Sequence, residues 1–200
     1  MAHNYLKTAY ENINILEYQL FFNAKESVYS KKEFLKPENL NSLNLIIMEM
    51  GFGSGIYYMN CETNKYLFQT NLSSDLFLIE SKKPQKWKKT NETKQIGKYN
   101  CFKATTTVFI ETVSAGTIEE EVIAWFTPEI PVSFGPAGFG GLPGLILEIQ
   151  KGKFILYAEK ISLNANTEKI NIPKRGIKVS EEEFREILKK GSSYYRQYKN

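Results

Sequence analysis

The chain has 200 residues, 42% hydrophobic and 14% aromatic, with 26 basic residues against 22 acidic ones for a net charge of +4. This is enough apolar material for one domain over 1–200 that buries roughly 70% of its unfolded surface. The charge is too mild to demand nucleic acid, and a lone histidine, His3, excludes Ser-His, Cys-His and histidine–metal chemistry.

Residues 1–10 are read as a disordered or expression-derived start. Ile13 to Phe22 alternates apolar positions at Ile13, Ile15, Tyr18, Leu20 and Phe22, the period of a half-buried strand. Glu26 to Phe34 continues as a second strand, and Pro37 to Ser42 is a loop. Leu43 to Met50 fits a short helix or a strand equally. Leu43 to Met59 as a whole is no membrane span, because Asn44, Glu49 and several glycines break it. Gly51, Gly53 and Gly55 make a turn; they lack the spacing of a phosphate loop. Short strands follow at Ile56 to Asn60, Lys65 to Gln69 and Leu76 to Glu80.

Ser81 to Lys94, SKKPQKWKKTNETK, sets six lysines around Trp87. Such a stretch can contact lipid headgroups or nucleic acid. Lysines also keep a sheet edge from pairing with another chain, and Pro84 suits that place. Tyr99 to Val113 and Thr117 to Phe126 are paired strands turning at Ser114 to Gly116. Glu119, Glu120 and Glu121 cannot converge on a cation, because neighbouring strand residues point to opposite faces.

Ala124 to Ile149, AWFTPEIPVSFGPAGFGGLPGLILEI, organises the chain. Four of the seven prolines (Pro128, Pro131, Pro136, Pro143) lie here, with five of the thirteen glycines between Gly135 and Gly144. Prolines hold the backbone extended and glycines reach conformations closed to other residues, so the loop is tightly turned. Phe134, Phe139, Leu142 and Leu145 make it too apolar for a linker. Two readings stay open. In one, Gly135, Gly140, Gly141, Pro143 and Gly144 shape a structural loop. In the other, Phe134, Phe139 and Leu142, with Trp125, form a ligand- or partner-binding surface.

Leu145 to Ile149 and Lys153 to Leu163 read as a hairpin whose second strand is apolar on both faces, as in a central strand covered on each side. Near the end, Ser180 and Glu183 make a capping box, Val179 and Phe184 a hydrophobic staple, and Phe184, Ile187 and Leu188 one apolar helix face. Lys189 and Lys190 suit the helix C-terminus, with Gly191 beyond it.

Gly141-Leu142-Pro143-Gly144-Leu145-Ile146, with its flanks Trp87 to Glu92, Ile96 to Thr105 and Ala124 to Pro136, resembles the GLPGLI family of small exported bacterial proteins. The resemblance runs over most of the chain beyond about Glu17. It implies export to the periplasm or outer membrane and brings no established activity or catalytic residues. In an oxidising compartment Cys61 and Cys101 could pair, closing residues 61 through 101 and contributing about 4 kcal/mol. Two unpaired, buried thiols are the alternative.

No catalytic motif is present. Glu129 and Glu148 could in principle do acid–base work, and Met48, Met50, Met59 and Cys61 could offer soft metal ligands, but solvated carboxylates and core methionines are commoner. The expected fold is mainly β: a large curved antiparallel sheet or half-open β-barrel with a C-terminal helix. The expected function is non-enzymatic, without cofactor or metal. A concave face would hold a lipid, acyl chain or peptide, or the Pro/Gly-rich loop would serve as an adaptor for an outer-membrane protein.

Overall fold

The computed structural model describes residues 8–9, 11–49, 51–53, 55–81, 85–112, 116–163 and 170–190. Among the described residues there are eleven strands and two helices of eight and ten residues: β1 (Tyr18–Phe22), β2 (Glu26–Lys31), α1 (Ser42–Glu49), β3 (Ile56–Asn60), β4 (Lys65–Leu72) and β5 (Asp75–Ser81) come first. Next come β6 (Lys88–Ile96), β7 (Tyr99–Thr112), β8 (Gly116–Thr127), β9 (Leu145–Lys151), β10 (Phe154–Tyr157), β11 (Ile177–Ser180) and α2 (Glu181–Lys190). The strands form two open sheets, β1-β2-β3-β4-β5-β11 and β10-β9-β8-β7-β6. The fold is thus mainly β with a C-terminal helix, and the strands divide between two sheets.

Local chemistry explains the boundaries. Asn23 Oδ1 accepts from Lys25 N and Glu26 N, closing the β1–β2 turn, and Asn60 does the same for Glu62 and Thr63 after β3. The ambiguous stretch from Leu43 is a helix because two asparagines cap it reciprocally. Asn44 N donates to Asn41 Oδ1 at 2.9 Å, and Asn41 N to Asn44 Oδ1 at 3.0 Å. At α2, Ser180 N donates to Glu183 Oε2 at 2.7 Å and Glu183 N to Ser180 Oγ at 3.2 Å. Val179, Phe184 and Ile187 then pack with Phe77 and Ile79 of β5. Gly191, Pro84 and Met50 lie outside the described residues.

Three features depart from the sequence reading. Ile13–Ile15 is a 3-10 turn, so the first strand starts only at Tyr18. β11 joins β5 in parallel, Ile177 opposite Phe77 and Val179 opposite Ile79, so the first sheet is not wholly antiparallel. Gly176, at φ +120, lets the chain approach β5, since a Cβ there would stand 2.9 Å from Phe77 C. Finally, β10 is an edge strand rather than a central one. Phe154 and Leu156 pack inward, while Ile155 and Tyr157 are exposed.

In the β9–β10 hairpin it is β9 that is covered on both faces. Trp125 pairs with Glu148 but the next residue, Phe126, pairs with Ile146, which leaves Leu147 as the extra residue of a bulge. The bulge reverses side-chain parity. Ile146 and Ile149 join a cluster with Val122, Ala124 and Phe126, while Leu145 and Leu147 join another with Tyr99 and Cys101. The lysine-rich β6 forms the opposite edge of this sheet.

Residues 128–144 fold inward as a layer against the first sheet. Gly141 N donates to Ser133 O, Leu145 N to Ile130 O and Ile146 N to Phe134 O, all within 3.0 Å. The 3-10 turn Pro136–Gly138 contacts β2 and β3. A Cβ on Gly138 would meet Tyr57, and one on Gly140 would meet Met59. Outside the layer, Trp87 Nε1 donates to Gly140 O at 2.8 Å. At its neck, a Cβ on Gly144 would stand 2.2 Å from Thr127 O, a backbone atom that has nowhere to go.

Gly144→Ala is therefore expected to cost about 2–3 kcal/mol through overpacking. Gly141→Ala should cost about 1 kcal/mol through its positive φ of 85. Urea melts check both, and an unchanged midpoint for Gly144→Ala would remove the neck from the account.

Candidate functional site

The register of the first sheet sets Leu20, Tyr29, Tyr57, Phe68, Ile79 and Val179 side by side across its six strands. This row faces inward, and half of it is aromatic. Tyr18 stacks on Tyr29 with ring centroids 5.3 Å apart, Tyr57 tilts against Tyr29 at 6.0 Å, and Tyr57 stacks on Phe68 at 4.3 Å. Phe184 of α2 approaches the same floor through Phe77, at 5.3 Å.

Above the floor lies a cleft of about 560 Å³. Tyr57 and Phe68 form its base, Ala137 and Phe139 of the inner layer one wall, and Val108, Phe109 and Ile110 of β7 another; Phe184 and Leu188 of α2 overhang it. A smaller cavity of about 230 Å³ adjoins it through Tyr57, Phe68, Ala137 and Phe184, and reaches Met59, Tyr66 and Gln85. Gln85 Oε1 is buried without a hydrogen-bond partner. Apolar walls with few polar groups are what ligand clefts of this size commonly show.

Among the described residues, four charged ones line the larger cleft: Glu49, Lys151, Glu181 and Arg185. Glu49 pairs with Lys31. Glu181 pairs with Arg185 at 3.0 Å and accepts from Ser81 Oγ at 3.2 Å. Lys151 sits at the end of β9 with its Nζ 6.0 Å from the centre of the Phe52 ring. Burial pushes the Lys151 ammonium below the usual lysine range, opposed in part by Glu120.

The tyrosine hydroxyls are hard to ionise. Burial pushes Tyr18 up to about 12, helped by the charge of Glu49, and its Oη donates to Gly53 O at 3.2 Å, which needs the proton in place. Tyr29 and Tyr57 are raised further, again mainly by burial. Tyr29 Oη is buried with no hydrogen-bond partner.

Of the residues considered for binding, only Phe139 lines the cleft. Phe134 and Leu142 are 1% and 2% exposed, so they do not form the recognition surface considered for them. The tight glycine turns fold their side chains inward, and burying them repays ordering the loop. Trp125 lies on the opposite face of the second sheet, where Lys94 Nζ stands 4.4 Å over its ring and also bonds Glu148 at 2.6 Å. Glu129 accepts from Asn100 N at 2.8 Å, so the two carboxylates considered for acid–base work each hold a separate partner.

Of the two readings left open for Cys61 and Cys101, the structure carries the unpaired one, with both thiols free. Cys61 is exposed at the β3–β4 turn of one sheet. Cys101 is buried on β7 of the other, its Sγ 3.7 Å from Tyr99 O. Met59 packs in the core and Met48 beneath α1 with Ala9 and Leu40.

The sequence reading missed Tyr57, Phe68, Lys151 and the overhang of α2 as one site. Strand alternation was visible for each segment, but which rings meet depends on register across strands, which no single segment shows.

A family model described as a protein of unknown function (Porph_ging) matches residues 87–148, from β6 through the inner layer to β9. No curated protein matches the chain. Structures of PNGF-II in the C2 and P21 space groups are similar, with TM-scores of 0.45 and 0.43 and identities of 16% and 15%. Each match covers 86% of this chain and 32% of the other, so the chain spans about a third of the length of PNGF-II in those structures.

The tyrosines set an alkaline limit. Where the ordinary value is 10.0 and Tyr18 is raised to about 12, the native state keeps protons that the unfolded chain has lost. Their contribution is complete below pH 10 and is lost as pH rises through 10 to 12 and beyond. Urea midpoints should fall across that interval, whereas a flat profile would contradict the burial. Tyr29→Phe removes an unpaired buried hydroxyl and should raise stability by about 1 kcal/mol, read at neutral pH. Thiol titration should find one reactive cysteine in the native protein and two after unfolding; none in the unfolded chain would restore the bridge.

Proposed function

We propose that the protein is a non-enzymatic carrier or receptor for an apolar molecule, held in the cleft between the aromatic floor of the first sheet and the overhanging helix α2. The observation that carries this reading is the lining itself. Tyr57, Phe68, Phe139, Val108 and Phe184 surround about 560 Å³ that no described side chain fills. Phe109 is 62% exposed and Leu188 48% exposed at its mouth. Exposed apolar side chains grouped around a cleft, unlike ones scattered singly, favour an apolar occupant over water. The resemblance of Gly141 to Ile146 to the GLPGLI family supports placing this carrier in the periplasm or at the outer membrane, where a lipid, acyl chain or peptide is the kind of ligand to be moved.

The adaptor reading has less support. It needs Phe134, Phe139 and Leu142 outward on a loop, and these are buried.

Nile red, an uncharged dye that brightens in apolar surroundings, tests the cleft directly. It should bind the native protein, be displaced by dodecanol, and bind at least tenfold more weakly to Phe109→Asp. Because Phe109 is exposed, that substitution should change stability by about 0.5 kcal/mol or less. Equal binding by Phe109→Asp, or no binding by the parent, would overturn the carrier reading.

A further inference from the structure

We infer that the ligand is an anionic amphiphile, its tail between Phe68 and Phe184 and its headgroup at the mouth of the cleft against Lys151. This rests on the carrier reading above and names the ligand class for the same site.

The argument is one of charge accounting around the lining. Among the described residues, four charged side chains reach the cleft, and three have partners there or beside it: Glu49 with Lys31, and Glu181 with Arg185. Among the described residues, no carboxylate lies within ion-pair distance of Lys151. Glu120 is near enough to influence it, but its carboxylate lies against Gly152, where an added Cβ would be 2.5 Å from Oε1. Lys151 is instead half-buried, with its ammonium facing the Phe52 ring at 6.0 Å.

Position supports the assignment. β9 runs through the core at Leu145, Ile146 and Leu147 and ends at Lys151, where the hairpin to β10 reaches solvent. Lys151 lies opposite Val122, at the rim of the apolar cluster that includes Val108, Phe139 and Phe154. An acyl chain along the apolar walls would therefore end beside a cation. A carboxylate or a phosphate satisfies it equally, and both share the negative headgroup that defines the class. A neutral ligand would leave the ammonium as it is, and a cationic one would be repelled.

Dodecanoate, dodecyl phosphate and dodecanol, each titrated by calorimetry into the parent protein, Lys151→Met and Lys151→Arg, separate the possibilities. The parent should bind both anions about tenfold or more tightly than the alcohol, and the margin should shrink as salt is raised. Lys151→Met keeps the apolar stem and should lose that margin while still binding dodecanol; Lys151→Arg should recover it. A preference for one anion over the other identifies the headgroup. If the three ligands bind the parent equally, or Lys151→Met keeps the anion preference, the assignment of Lys151 fails and the carrier reading stands. If none of the three binds the parent, both fail.

Discussion

Gly144 and Thr127 meet at the neck of the inner layer, and the rest of the fold depends on how closely they meet. A side chain on Gly144 would collide with the backbone of Thr127. Because there is none, the chain leaving β8 and the chain entering β9 lie together and residues 128–144 close into a compact loop. The loop can then be placed inward with its apolar side chains against the first sheet. Opening the neck would move Ala137 and Phe139, and with them one wall of the cleft. A cleft formed by side chains from both sheets thus rests on one backbone contact.

The bulge at Leu147 makes the second half of that arrangement possible. In an unbroken strand, Leu145, Leu147 and Ile149 would share a face and Ile146 would face away alone. With the extra residue, β9 supplies apolar side chains to both faces in succession. The second sheet can then pack on the inner layer with one face and bury Tyr99, Cys101 and Leu147 with the other. A run of Leu-Ile-Leu after a glycine is consequently a two-faced strand.

Much of this was legible locally. Strand periods from Tyr18 onward, the Ser180–Glu183 cap, the lysine-rich edge at β6 and the tight turning of the central loop all follow from neighbours in sequence and are found, whereas the alternation at Ile13 and Ile15 belongs to a 3-10 turn. Asn41 and Asn44 also carried a cap signal that would have settled α1 as a helix. The rest depended on distant partners. That β10 is an edge, that β11 is parallel to β5, and that Tyr57 meets Phe68 are facts about pairing, and pairing is chosen by burial over the whole molecule. Phe134 illustrates the limit. An aromatic in a proline- and glycine-rich loop reads equally as a contact or a core residue, and only the depth of the loop decides.

The parallel pairing of β11 with β5 has a consequence for how the protein is made. Every strand of the second sheet, β6 to β10, lies between those two partners in the chain. As the polypeptide leaves the ribosome, β5 is complete while the residues that cover its outer edge are still to be synthesised. For that interval an apolar strand containing Phe77, Leu78 and Ile79 has an open hydrogen-bonding edge, the condition under which nascent chains pair wrongly with one another. The first sheet is the earlier one in sequence but the last to be finished. The helix that closes it also overhangs the cleft, so the cleft is complete only once the C-terminal segment has docked.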